Sequence, residues 1–151
     1  MSTSQRFVSL HGFFAIEYPA TWTQETDEAG HYLFYQNNGG QGVLRVMVLP
    51  NDFEGEQAAE QMLNEVYRQN QNFEPAILKT PKHHFVAFVK EHTINQAMYT
   101  VYYWLTAKND KVVLFAYTIQ TAMKNLPVAE NEKAEIENII GTFEFLEGVH
   151  G

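Results

Sequence analysis

Apolar positions recur along this chain in two periods, and the longest run with the two-residue period lies between Ala97 and Thr121. AMYTVYYWLTAKNDKVVLFAYTIQT is rich in β-branched and aromatic residues on both sides of Lys108-Asn109-Asp110-Lys111, the pattern of a long antiparallel hairpin. A connection of two residues (Asn109-Asp110) or of four (Lys108 to Lys111) gives one parity, with Trp104 opposite Phe115 and Tyr102 opposite Tyr117. One face then carries Met98, Thr100, Tyr102, Trp104, Val113, Phe115, Tyr117 and Ile119. The other carries Tyr99, Val101, Tyr103, Leu105, Val112, Leu114, Ala116, Thr118 and Gln120. The first face is bulkier and is assigned to the main core. The second fades to polar away from the turn, so it is expected to be covered in part or kept for a partner.

Before the hairpin, Phe13 to Tyr18 reads as a strand with Phe14, Ile16 and Tyr18 on one side, ended by Pro19, which lacks a ladder donor. Trp22 is expected to cap one end of the core. Thr23 to Gly30 reads as a polar, acidic loop, His31 to Gln36 as a strand, Asn37 to Gly42 (NNGGQG) as a turn, and Val43 to Leu49 as a returning strand. Glu54 to Asn70 has the helical period: Ala58, Ala59, Met62, Leu63, Val66 and Tyr67 share one face, with Asp52 as a plausible N-cap. Gly55 is a poor interior residue, so the helix start can slip to it. Pro75 to Thr80 reads as a short edge strand and His83 to His92 as a longer one. After the hairpin, Leu126-Pro127 opens a second helix with an Ile136, Ile139, Ile140 stripe and Glu130, Glu132, Glu135 and Glu137 around it. Gly141 fits the left-handed position after a helix end. Thr142 to Leu146 closes as a strand with Phe143 and Phe145 inward, and Glu147 to Gly151 reads as a frayed tail.

The predicted order is βββαββββαβ. This is an α+β domain, a mostly antiparallel sheet of about six to eight strands with two helices packed on it. Residues 1–151 form a single domain with an ordered core over about 7–146. Both hairpin faces are apolar, so a helix should lie on each side, or one face should meet a second subunit.

The segment Phe14-Ala15-Ile16-Glu17-Tyr18-Pro19-Ala20-Thr21-Trp22 resembles the opening strand, ending in Tyr-Pro-x-x-Trp, of the PsbP-like/Mog-like fold group. That group includes DcrB-like proteins and related small bacterial families of unknown function found in Bacteroidetes. The helix at 54–70, the aromatic meander at 83–120 and the late helix running into Gly141-Thr142-Phe143 extend the likeness to roughly residues 7–146. The resemblance implies architecture more than activity. Members serve as photosystem accessory subunits, Ran-GTPase partners and chaperones for secretion-system effectors, and no shared catalytic set comes with them.

Composition narrows the function classes. An apolar fraction of 45% with 14% aromatics excludes a disordered chain. No stretch approaches the roughly 18 apolar residues that cross a bilayer. MSTSQRFVSLHG has no apolar signal-peptide core, so a cytoplasmic location, or a processed form, is expected. The net charge is -8, and Arg6, Arg45 and Arg68 are the only arginines, a poor supply of cations for a nucleic-acid surface. The absence of cysteine removes disulfides, thiolate metal sites and cysteine nucleophiles.

Candidate chemistry is sparse. His83 and His84 are neighbours on a strand and point to opposite faces, as do Glu91 and His92. Asp27, Glu28 and His31 lie in one loop and form at most a loose oxygen and nitrogen site, with a solvated loop the simpler reading. The glycine-rich NNGGQG is followed by a strand rather than a helix, which argues for a turn over a phosphate cradle. No nucleophile elbow is present, and Ser2, Ser4 and Ser9 lie near the start of the chain. Glu17 and Glu91 are the only acids set in apolar strands, Glu17 on the solvent side and Glu91 at a strand end. No enzyme, metal site or cofactor is expected.

The aromatic surplus is the one feature with a functional reading. Tyr99, Val101, Tyr103 and Leu105 form a stripe on the lighter hairpin face, and tyrosine suits protein contacts because it buries a large ring and keeps a polar tip. The expectation is a non-catalytic protein-binding module, adaptor or chaperone-like, with an unidentified protein partner, no nucleic acid and no membrane span. A homodimer is compatible with it. The alternatives are a small-molecule or lipid carrier with an aromatic pocket between sheet and helix, and a toxin immunity protein.

Overall fold

The computed structural model describes residues 3–37, 40–80, 83–108 and 111–146. The alternating aromatic runs pair as predicted: β8 (Ala97–Lys108) and β9 (Lys111–Gln120) are antiparallel, with Trp104 opposite Phe115 and Tyr102 opposite Tyr117. The Asn109-Asp110 connection lies outside the described residues, as does the tail from Glu147; Lys108 and Lys111 are the last facing pair.

This hairpin is the middle of a seven-stranded antiparallel sheet. Its order is β3 (Trp22–Thr26), β4 (Tyr32–Gln36), β5 (Gly42–Pro50), β9, β8, β7 (His84–Ile94) and β6 (Ala76–Lys79). A second, three-stranded antiparallel sheet joins β1 (Ser4–Val8), β2 (Phe14–Pro19) and β10 (Glu144–Phe145). Helix α1 (Ala58–Gln69) follows β5, and α2 (Pro127–Gly141) follows β9. The fold is α+β as expected, with a helix on each face of the large sheet. Among the described residues no helix is long and apolar enough to cross a membrane.

Period-two patterning sets the main core. Phe34, Leu44, Val46, Trp104, Phe115 and Tyr117 point to one face of the large sheet, where α2 and the small sheet cover them with Ile136, Ile139, Ile140, Phe14 and Ile16. Phe143 ties the layers together: its ring centroid lies 5.5 Å from that of Phe14, 5.6 Å from Phe115 and 5.7 Å from Phe85. Burying one such side chain stabilises the fold by roughly 1.5–3 kcal/mol. A smaller cluster on the other face packs Met62, Leu63, Val66 and Tyr67 of α1 against Val86, Phe88, Leu105 and Val112.

Several local expectations are corrected. Strands β1 and β3 went unpredicted because SQRFV and WTQET carry few apolar residues; both are outer strands whose polar side chains meet water. The segment Thr23 to Gly30 is therefore half strand and half turn. Asp52 does not cap α1. Gly55 takes φ +96, the helix starts at Ala58 after Gln57, and Asn51 holds the approach by accepting from Phe53 N–H and donating to the Ala58 carbonyl. Gly141 is the last helical residue rather than a left-handed cap; Thr142 follows with helical φ and ψ, its hydroxyl donating to the Ile139 carbonyl at 2.6 Å.

Candidate functional site

Register on the second face of the large sheet can be followed strand by strand. Leu33, Arg45, Ala116, Tyr103 and Phe88 form one row, and Met47, Leu114, Leu105, Val86 and Ile77 another. Helix α1 lies over β7, β8 and the Val112 end of β9. The remainder, on β4, β5, the neighbouring part of β9 and the Tyr99 end of β8, has no layer above it among the described residues. Leu33, Tyr35 and Met47 are half-exposed there, Val43 is 39% exposed, and Arg45 is exposed near the centre.

The predicted stripe divides on this geometry. Leu105 is buried beneath α1 in the second cluster and is unavailable to a partner, a correction to its assignment as a contact residue. Val101 is buried too, between the β7 and β9 neighbours that flank it in the ladder. Tyr103 is half-exposed, stacked on Phe88 at 5.0 Å between centroids, with its hydroxyl 3.2 Å from His92 Nε2. Tyr99 is half-exposed at the uncovered end. Sequence alternation put all four on one face correctly; the position of α1 over that face has no local signal.

A cleft of about 580 Å³ opens where α1 meets the other edge of the same face. Glu60, Leu63 and Tyr67 of α1 form one wall, Val86 and Ala107 the floor, and Ile77 of the edge strand β6 the rim. The spacing of 60, 63 and 67 puts these three on one side of the helix.

The groups considered for chemistry sit apart. Asp27 and His31 do meet, at 3.6 Å, but as the two ends of the β3–β4 turn: Asp27 Oδ1 accepts from the N–H groups of Ala29 and His31, and the latter bond is the main reason its carboxyl lies below the ordinary value. His83 turns to the core side, its ring 5.4 Å from Phe143 and 5.2 Å from Phe145, while His84 belongs to the opposite face. Glu17 and Glu91 are exposed on different sheets. Among the described residues no three His, Cys, Asp or Glu side chains are placed to hold a metal ion.

The group that sequence reasoning passed over is Glu132. It is 0% exposed; Oε1 accepts from Gly42 N–H at 2.7 Å and from the Tyr117 hydroxyl at 2.7 Å, and Oε2 accepts from Gln41 N–H at 2.9 Å. Gln41 and Gly42, the last two residues of the glycine-rich segment, thus hold a carboxyl group supplied by the chain's own helix, while Asn38-Gly39 lies outside the described residues. A Cβ at Gly40 would collide with Glu132, and one at Gly42 with the Thr118 carbonyl and the Tyr117 ring. One turn on, Glu135 accepts from Trp22 Nε1 at 2.6 Å, so Trp22 is buried in the core with its polar edge satisfied. The available signal was spacing: Glu132 shares a helix face with Ala129, Ile136 and Ile139.

Fold and surfaces define an α+β sandwich domain, closed on one side of its large sheet and half open on the other. The chain belongs to a family described as a domain of unknown function (DUF3805), whose model matches residues 2–145. No curated protein matches it. A crystal structure from Bacteroides thetaiotaomicron VPI-5482 is similar at a TM-score of 0.74 and 19% identity, covering 95% of this chain and 48% of that one, so this chain spans about half its length. LpqN, described as involved in cell envelope biogenesis of Mycobacterium tuberculosis, is similar at a TM-score of 0.61 and 7% identity, with 95% and 91% covered. The solution structure of cyanobacterial PsbP (CyanoP) from Synechocystis sp. PCC 6803 reaches 0.48 at 9% identity, covering 97% and 94%, a score too low to carry weight. These likenesses concern fold alone, and they carry no activity or partner to this chain.

Proposed function

We propose that this is a non-catalytic protein-binding domain, adaptor or chaperone-like, which docks its partner on the uncovered half of the large sheet. The observation that supports this is the mismatch between the two faces: one is closed by a helix and a second sheet, the other by α1 over only part of its width, β7, β8 and the Val112 end of β9. The open half offers Tyr35, Arg45, Met47 and Tyr99, with Tyr103 at its border with the α1 cluster, the residue types that protein interfaces concentrate. Val43→Asp/Tyr99→Asp places two charges on half-exposed strand positions without touching the core. The variant is expected to melt like the wild type and to lose the proteins that the wild type captures from its own cell extract; an unchanged capture profile would remove the proposal.

The carrier reading has one observation in its favour, the 580 Å³ cleft, which falls within the usual range of ligand pockets. Its test is a thermal-shift screen with fatty acids and aromatic metabolites, since a ligand of the folded state raises the melting temperature. A flat response across the screen would end it.

A further inference from the structure

We infer that the free edge of β6, together with the cleft under α1, captures an extended peptide by strand addition. This goes beyond the open-half proposal, uses a different surface and stands or falls separately.

Backbone geometry comes first. β6 pairs with β7 alone, and beyond its last residue Thr80 N–H donates to the His83 carbonyl at 2.8 Å. In an antiparallel ladder, bonded pairs alternate. Leu78 opposite Phe85 and Ala76 opposite Ala87 therefore exchange bonds across the β6–β7 pair. Ile77 and Lys79 turn their N–H and C=O groups outward, where no strand of the described residues receives them. That is a template for two to four ladder bonds, bounded by Pro75 on one side and by Pro81 in the sequence on the other.

Side chains make the edge selective. An edge strand is normally guarded by charge or covered; β6 carries a single charge, Lys79 at its end, while Ile77 is 57% and Leu78 37% exposed, on opposite faces. Ile77 faces the α1 side and rims the cleft. A strand laid beside β6 sends every second side chain to that side, toward the wall of Leu63 and Tyr67. Glu60, exposed at the same wall, adds a carboxylate, and the chain carries a net charge of -8. The occupant that fits is an extended segment of another protein, with an aliphatic or aromatic residue facing the cleft and a lysine or arginine two positions away. A second copy fits less well, because it brings a further net charge of -8 to an edge only four residues long.

The probe is a heptapeptide selected from a random display library against the full chain, fluorescently labelled and titrated by anisotropy. Lys79→Pro removes one outward N–H without costing a β6–β7 bond, and is expected to weaken the peptide at least tenfold with an unchanged melting temperature. Glu60→Lys, at an exposed position, is expected to weaken basic peptides severalfold. Hydrogen exchange at the Ile77 and Lys79 amides should slow when peptide is bound. Failure to enrich peptides, equal affinity for Lys79→Pro, or protection elsewhere would overturn the inference. So would protection of the two amides by dimerisation without peptide, seen by light scattering, or by a small-molecule hit. Val43→Asp/Tyr99→Asp should bind the peptide like the wild type, which separates this site from the open half.

Discussion

Replacing Glu132 by alanine strands three donors at the junction of α2 with β5 and β9. Tyr117, 1% exposed, loses the acceptor of its hydroxyl; Gln41 and Gly42 lose the acceptors of their N–H groups. A buried donor left without a partner costs about 1–3 kcal/mol. The two loop amides are half-buried and can turn to water, so they belong at the low end, and Tyr117 at the high end. The sum is about 3–5 kcal/mol. For a domain of this size 1 kcal/mol moves the melting temperature by roughly 2–4 °C, so the expected drop is on the order of 6–20 °C. Thermal and urea unfolding followed by circular dichroism measure it. Glu132→Gln keeps the shape and one acceptor oxygen but turns an amide group toward a donor, so it should fall between the wild type and alanine. A cycle with Tyr117→Phe should give a coupling of about 1 kcal/mol or more. If Glu132→Ala unfolds within about 0.5 kcal/mol of the wild type, the carboxyl does not hold this junction and the reasoning is wrong.

Other expectations follow from the same contacts. Gly40→Ala and Gly42→Ala should destabilise, because the added methyl meets Glu132 in one case and the Thr118 carbonyl in the other. Gly141→Ala, at a helical position with open space around the site, should gain up to about 1 kcal/mol, all three read from melting curves. Burial, reinforced by the hydrogen bond to Glu132, raises the Tyr117 phenol well above its ordinary value of 10.0. A raised folded value means stability is complete below about pH 10 and declines above it, by at most about 1.4 kcal/mol per pH unit from this group; urea midpoints between pH 8 and 11.5 should show the decline, shallower in Tyr117→Phe. Leu105→Ala should cost about 2–4 kcal/mol in urea unfolding, against under about 1 for Tyr99→Ser, since Leu105 is roofed by α1 and Tyr99 is not.

What could be read from the chain is what strict alternation encodes. Trp104 had to face Phe115 once both runs kept their period across a short connection, and the Ile136, Ile139, Ile140 stripe had to turn inward. The outer strands β1 and β3 escaped because their backbone pairs on one side only and most of their side chains serve water, so WTQET reads as loop until β4 is laid beside it. Glu132 escaped for a different reason: its three donors come from residues 41, 42 and 117, and no window on the sequence brings them together. The stripe 99, 101, 103, 105 was legible as a face, whereas the extent of that face under α1 depended on where a helix forty residues earlier comes to rest.

The open half of the sheet is tested most directly by a photo-activated crosslinker in place of Tyr99, with a second at exposed Glu137 on α2 as the comparison. Irradiation in the native cell extract should join one discrete protein to position 99 and none to position 137. Equal, diffuse labelling at both positions would contradict a docking surface there.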